Sequence, residues 1–501
     1  MNIQIKHRFQ RSAFALFLAL LCSFTAIAQQ VQPKNPPPPP PGLQQEQKEN
    51  ATAPERKITE AEAQELFKSF DEILKFVSQD TGLPIKNPVK HKIVGRDEVE
   101  RFMLERMKDD PDAQRLERSE VSLKKFGLIP KDMNLRSYLI ALLKEQVAGF
   151  YDAKTKVMYL LDWVTPEGQK PVLAHELTHA LQDQSYDLEK WGQVNDKKLS
   201  GYDEIVRDEE RGARQAVVEG QATVVLVDYL LQPFGKSVVS SPEVVDLLKK
   251  QMVSGGSTPL FSKAPSFLKQ ALLFPYDAGF DFERALLSAG GKSQAYKGAL
   301  GNPPVDTAQI LQPRTYLDQK QHPLPKLPDL SSVIGKDYEK FDDGGFGEFD
   351  LQVLIKQWMP TSDPDQPQSD GAAAASASKD SEDKDLALIR AWRGGYYLSF
   401  QKKNDKKAPI EVAFLMRLAT PEDAKKFETV YRAGLKQRYK SLRVKSPSTI
   451  ETEEGLVTLS SDGEWFTATE GFDVALSKKV RDAMLSTAKQ GPAPAKAAAV
   501  N

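Results

Sequence analysis

Cysteine is almost absent from this chain: Cys22 is the only one. It lies in an apolar run, "SAFALFLALLCSFTA", that follows the basic cluster Lys6, His7, Arg8 and Arg11. A basic start, an apolar run of that length and the small residues Ala26 to Ala28 before Gln29 lead us to expect a secretory signal over residues 1–28. The run falls short of the roughly 20 residues that a spanning helix needs, so no membrane span is expected after cleavage. Lipid attachment at Cys22 would want a small residue before it, and Leu21 is not small. The mature chain would then hold no thiol, which excludes disulfides, thiolate nucleophiles and thiolate metal ligands. Any metal must be held by His, Asp and Glu. The expected location is the periplasm or the exterior.

An excess of charge of either sign is also lacking. The 68 basic and 69 acidic side chains leave a net charge of −1. That balance gives no electrostatic footprint for nucleic acid or an anionic membrane surface.

With 501 residues the chain exceeds one ordinary core, and its composition divides it. Residues 29–54 are rich in Gln and Pro, with an unbroken run from Pro36 to Pro41, and read as a disordered spacer. Residues 361–385 are a polar, Ala- and Ser-rich linker, and 489–501 a disordered tail. Between them lie a region of 55–360, expected to be mostly α with a small mixed β-sheet, and a small α+β domain of 386–488. In the first region Thr59 and Glu62 form a capping box for a helix that ends near Gly82. "VKHKIV" reads as a strand, "RDEVERFMLERMKDD" and "NLRSYLIALLKEQVAGF" as helices, and "GFYDAKTKVMYLLD" as a hairpin. Helical patterns dominate from 171 to 300, and "FGEFDLQVLIKQWM" reads as one more helix. Beyond the linker, "AWRGGYYLSFQKK", "IEVAFLMRLAT" and "EWFTATEGF" read as strands around a helix with Pro421 in its first turn.

Against a total of five histidines, "AHELTHALQDQ" places two of them four apart, at His175 and His179. On a helix that spacing puts both imidazoles on one face, where they can converge on a tetrahedral zinc ion. Glu176 is offset around the helix; it can reach the open coordination position and act there as general base. Val172, Leu173, Leu177, Ala180 and Leu181 make the helix core-bound, and buried histidines need partners. Two histidines do not complete a catalytic site. Glu219, the acidic residue in the middle of the apolar "RGARQAVVEGQATVVLVDYLL", is the expected third ligand. Ala216, Gly220, Ala222 and Thr223 around it are small enough to let the two helices approach. Asp183, one turn beyond His179, is a rival better suited to an outer or capping role. His91 reads as an ordinary strand histidine and His322 as a solvent-exposed one.

"HELTHALQDQ" followed by "AVVEGQAT" resembles the gluzincin-type zinc metallopeptidases, and is closest to a group of uncharacterised bacterial and archaeal proteins with the same motif set. The resemblance covers roughly residues 85–358. It implies a zincin-like α+β catalytic domain, His175, His179 and Glu219 as Zn2+ ligands, and Glu176 as the base in peptide hydrolysis. It also implies that the hairpin's edge strand pairs with an extended protein or peptide substrate. Thr223 stands where thermolysin-like enzymes carry an aspartate four residues after the glutamate. Tyr316 and Arg314 are candidates for oxyanion stabilisation, or simply for loop packing. Two other readings stay open: an envelope binding or scaffold protein with a structural or vestigial zinc, and a zinc hydrolase of non-peptide substrates. The sequence leaves the oligomeric state open.

Overall fold

The computed structural model describes residues 57–108, 111–147, 149–192, 202–255, 258–359 and 382–491. The expected signal, the Pro-rich spacer, most of the linker and most of the tail lie outside these residues. Among the described residues, no helix is long and apolar enough to cross a membrane.

Local chemistry sets the first element as expected. Helix α1 (Glu60–Thr81) starts with a reciprocal cap: Thr59 N donates to Glu62 Oε2 at 2.7 Å, and Glu62 N donates to Thr59 Oγ1 at 3.2 Å. It ends at Gly82, whose φ of 70° is the left-handed conformation that glycine adopts without strain. Leu66, Phe70, Ile73, Leu74 and Val77 recur at helical spacing and are buried.

Strand β1 (Lys90–Val94) is followed by helices α2 (Arg96–Lys108), α3 (Pro111–Lys125) and α4 (Leu135–Gln146), then by the hairpin β2 (Phe150–Asp152) and β3 (Val157–Leu161). β3 is central in a small mixed sheet, parallel to β1 and antiparallel to β2. Helix α5 (Pro166–Tyr186) comes next, with Thr165 capping Gly168 N and Pro166 in the first turn, where its missing N–H costs nothing. Gln169 fixes this helix to the sheet: its Nε2 donates to Leu161 O at 3.0 Å and Val164 O at 2.8 Å, while Leu161 N donates to its Oε1 at 3.0 Å.

Helix α5 packs against α1 and the long helix α6 (Tyr202–Leu231), and a second long helix, α7 (Ser266–Lys292), packs against α6; all four share one apolar core. The tightest approach is between α6 and α7. A Cβ on Gly220 would lie 2.2 Å from Gly279 O, and one on Gly279 would lie 2.1 Å from Ala216 O. Ala216 and Gly220 therefore serve contact with α7. Our expectation that they face the histidine helix needs correcting. Residues i and i+4 share a face, and theirs is turned to Gly279.

A second core surrounds a seven-stranded antiparallel sheet in the order β4-β5-β6-β10-β9-β8-β7. β4 (Tyr338–Phe346) and helix α8 (Glu348–Trp358) lie upstream of residues 361–385. β5 (Trp392–Lys402), β6 (Glu411–Leu418), helix α9 (Pro421–Arg438), β7 (Leu442–Ser446), β8 (Thr449–Thr452), β9 (Gly455–Asp462), β10 (Trp465–Glu470) and helix α10 (Val474–Ala488) lie downstream. Strand pairing of β4 with β5 thus crosses the low-complexity stretch, and residues 382–390 are helical. Within this second core Trp358 Nε1 donates to Phe126 O, just past α3, at 3.1 Å and Trp392 Nε1 to Phe346 O of β4 at 2.8 Å. The overall class, mostly helical with a small mixed sheet, is the one expected; β4, β7, β8, β9 and α10 add to it.

Candidate metal centre

All four groups singled out in the sequence come together. His175 and His179 lie on α5, one turn apart, and are 0% and 2% exposed. Glu219 lies mid-way along α6, 3% exposed, with Oε2 at 3.2 Å from His175 Nε2 and 3.4 Å from His179 Nε2. One carboxylate oxygen therefore meets both imidazoles from a different element. Ligand atoms about 2.1 Å from a tetrahedral zinc stand roughly 3.4 Å apart. The two observed separations suit that arrangement. Ligand-capable atoms of His175, Glu176 and His179 also lie within 4.8 Å of one another. His179 Nε2 and Glu176 Oε1 are buried without a hydrogen-bond partner, which a metal and a polarised water would supply.

Glu176 is held by one oxygen. Tyr151 N, on β2, donates to Glu176 Oε2 at 2.8 Å and leaves Oε1 free. Burial lifts this carboxyl to about 8, against the opposing pull of His179 and of the Tyr151 N–H. His175 is pushed down to about 4, again chiefly by burial. For His179, burial alone would lower the pKa, but the Glu219 carboxylate outweighs it and raises the ring. Glu219 is the counterpart: burial would raise it, and the two histidines hold it below the ordinary range. Glu219 and His179 thus favour each other's charged forms, while burial favours the neutral form of Glu176.

The surroundings fix these groups. His179 Nδ1 faces Gln182 Oε1 at 2.9 Å. Thr223 Oγ1 donates to the Glu219 carbonyl at 2.7 Å; no carboxylate stands in its place. Asp183 is not a ligand. It accepts from Tyr151 Oη at 2.7 Å, from Lys156 Nζ at 2.7 Å and from Leu188 N at 3.0 Å, so it clamps the hairpin and starts the next short helix. The edge strand β2 is buried at all three residues, and the Tyr151 N–H is already committed to Glu176.

Sequence reasoning missed Tyr276. It lies on α7, 7% exposed, with its ring 6.1 Å from that of His175; burial, and then the Glu219 and Glu176 carboxylates, push its hydroxyl well above the usual tyrosine range. Nothing in its local pattern separates it from a core tyrosine; only the Gly220–Gly279 contact brings it to the site. Leu142 of α4 and Phe261 pack over it. Tyr316 and Arg314, the oxyanion candidates, are engaged elsewhere. Tyr316 Oη is spent on Asn302 O at 2.8 Å, and Arg314 is exposed and paired with Asp318. His91 packs between Phe67 and Phe70. His322 is half-buried against Trp392, not solvent-exposed, because Pro323 and Leu324 carry its segment onto the second core.

No family model, curated protein or solved structure matches this chain.

Proposed function

We propose that this protein is an exported zinc-dependent peptidase with a gluzincin-type site on a zincin-like scaffold. The observation that carries the reading is the single Glu219 oxygen 3.2 and 3.4 Å from the two imidazoles of the HExxH helix. His175, His179 and Glu219 would hold Zn2+, a donor set of two nitrogens and one carboxylate that leaves a fourth position open. Zinc when bound supplies Lewis acidity, lowering the pKa of a coordinated water towards about 7 and polarising a carbonyl.

The remaining chemistry belongs to the chain. Glu176 takes a proton from the attacking water at its free Oε1 and delivers it to the leaving amine, while the Tyr151 N–H keeps Oε2 in place. A carboxyl pushed up by burial is suited to both halves of that shuttle. Tyr276 packs beside His175 with its hydroxyl in the field of Glu219. Protein or peptide is the proposed substrate, and the periplasm or exterior the proposed location.

Burial favours a second reading as well. His175, Glu176, His179 and Glu219 are all at most 3% exposed, as in a site whose zinc is structural. One experiment separates the two. Purified full-length protein is assayed for bound metal and incubated with a denatured-protein library, alongside Glu176→Gln. The peptidase reading expects one zinc per chain in both proteins, and cleavage reduced by roughly 10²–10⁴-fold in the variant. Full zinc occupancy with no cleavage favours the structural site; cleavage unchanged in Glu176→Gln, or no zinc, overturns the peptidase reading.

A further inference from the structure

Behind His179 the hydrogen bonds run in one direction. Gln221 Nε2 donates to Ala295 O at 3.0 Å and to Tyr296 O at 3.2 Å. Both partners are backbone carbonyls, which only accept, so the NH2 end of this amide must face them. Gln221 Oε1 then points the other way, where it accepts from Gln182 Nε2 at 2.8 Å. The second hydrogen of Gln182 Nε2 goes to Val218 O at 3.1 Å. With both of its hydrogens committed, Gln182 presents only its oxygen to His179 Nδ1. An isolated amide or imidazole could be turned over without contradiction. This one is fixed at its far end by acceptors that cannot change role.

We propose that Gln182 and Gln221 are positioning residues, which together hold the His179 hydrogen on Nδ1 and so reserve Nε2 for metal. The relay starts at α5, crosses α6 and is anchored on a π-helical turn, Ser293–Gly298, a local geometry that recurs at functional sites. All the side chains in it are buried: Gln182 and Gln221 are 0% exposed and His179 is 2% exposed. Water is therefore not at hand to replace a lost partner, and removing the anchor frees the whole chain of amides. Gln221 does not touch His179, yet its loss leaves Gln182 free to turn its NH2 towards Nδ1. The consequence for metal rests on the zinc reading above; the relay geometry does not.

The test uses the full chain with ring-15N-labelled histidine; five histidines keep the spectrum assignable. In the metal-free wild type, His179 Nδ1–H is expected as a resonance protected from exchange with water, whatever the charge on Nε2. Gln182→Met and Gln221→Met each remove that protection and weaken zinc binding, read by chelator competition, by roughly 10–100-fold. The double variant binds zinc no more weakly than Gln182→Met alone, because the two residues act in series. Gln182→Glu keeps an acceptor for Nδ1–H and restores the protected resonance. Urea unfolding of the metal-free proteins establishes that each variant is folded. A protected Nδ1–H in Gln221→Met, unchanged affinity in either single variant, or losses that simply add overturn the relay. A wild type that binds no zinc overturns the zinc reading instead, and the Nδ1–H resonance still decides the relay.

Discussion

At the scale of residues, the site divides into groups that the sequence displays and groups that only the fold assembles. His175, Glu176 and His179 are legible because helical spacing alone puts two imidazoles on one face. Glu219 is legible because an acidic residue inside an apolar helix needs a reason to be there. Tyr276, Gln182 and Gln221 carry no such mark: a tyrosine or a glutamine in a helix is ordinary until its partner is known. Tyr276 is the sharpest case, since it reaches Glu219 from a helix that starts at Ser266. Replacing it with Phe removes the hydroxyl beside Glu219 and no volume to speak of. Tyr276→Phe is expected to bind zinc about 10-fold or more weakly, with stability close to wild type, because Glu219 loses a polar neighbour that orders it. Chelator competition and thermal unfolding measure the two effects. Unchanged zinc affinity would remove Tyr276 from the site.

At the scale of elements, the decisive contact is backbone against backbone. Small residues in "AVVEGQAT" announce a close helix approach, and the sequence does not say to which neighbour. The neighbour is α7, through Gly279, and the histidine helix is reached by the long side chain of Glu219 instead. A methyl group on Gly279 would lie 2.1 Å from Ala216 O, a distance that only movement of a helix can relieve. Gly279→Ala is therefore expected to destabilise the metal-free protein by about 1–3 kcal/mol, the range for overpacking. It should also weaken zinc binding, although no atom of residue 279 is a ligand, because α6 carries Glu219 and α7 carries Tyr276. Urea unfolding and a zinc titration report on both; a variant that loses stability but keeps full zinc affinity would mean that the two helices are not coupled to the site. Strand β4 makes the opposite point about legibility. Asp342, Asp343, Gly344 and Gly345 argue against a strand. Tertiary partners override that preference: Asp342 Oδ2 accepts from Ser122 Oγ at 2.8 Å and from Tyr397 Oη at 2.5 Å, and a side chain on Gly344 would strike the Tyr397 ring.

At the scale of the whole molecule, buried carboxyls sit where the helical part meets the large sheet, and they respond to pH in opposite senses. Glu470 of β10 accepts from Arg438 Nη2 at 2.9 Å, Tyr431 Oη at 2.6 Å and Tyr439 Oη at 2.5 Å, with Lys125 Nζ of α3 at 3.7 Å. Burial would raise this carboxyl, but Arg438 and then Lys125 outweigh it and hold it at about 2. Its unfolded value is near 4.5, so its stabilisation is complete above that pH and is lost as pH falls towards 2. Acid unfolding followed by tryptophan fluorescence should steepen in that window, and Glu470→Gln should flatten it while lowering stability at neutral pH. Glu209 of α6 is the reverse. It accepts from Thr307 N and Thr307 Oγ1 at 3.0 Å each and lies against Gly347, where β4 turns into α8. Burial, with Asp350 adding repulsion, lifts it well above the ordinary carboxylate range. The fold then binds more protons than the unfolded chain as pH rises above about 4.5, so stability falls as pH rises from there until the folded carboxyl ionises. Glu209→Gln keeps an oxygen for Thr307 and removes the charge. Its melting temperature should exceed that of wild type at pH 8 and match it near pH 4.5, where Glu209 is already neutral in the fold; a variant less stable than wild type at pH 8 would show that Glu209 is ionised and paired at this junction.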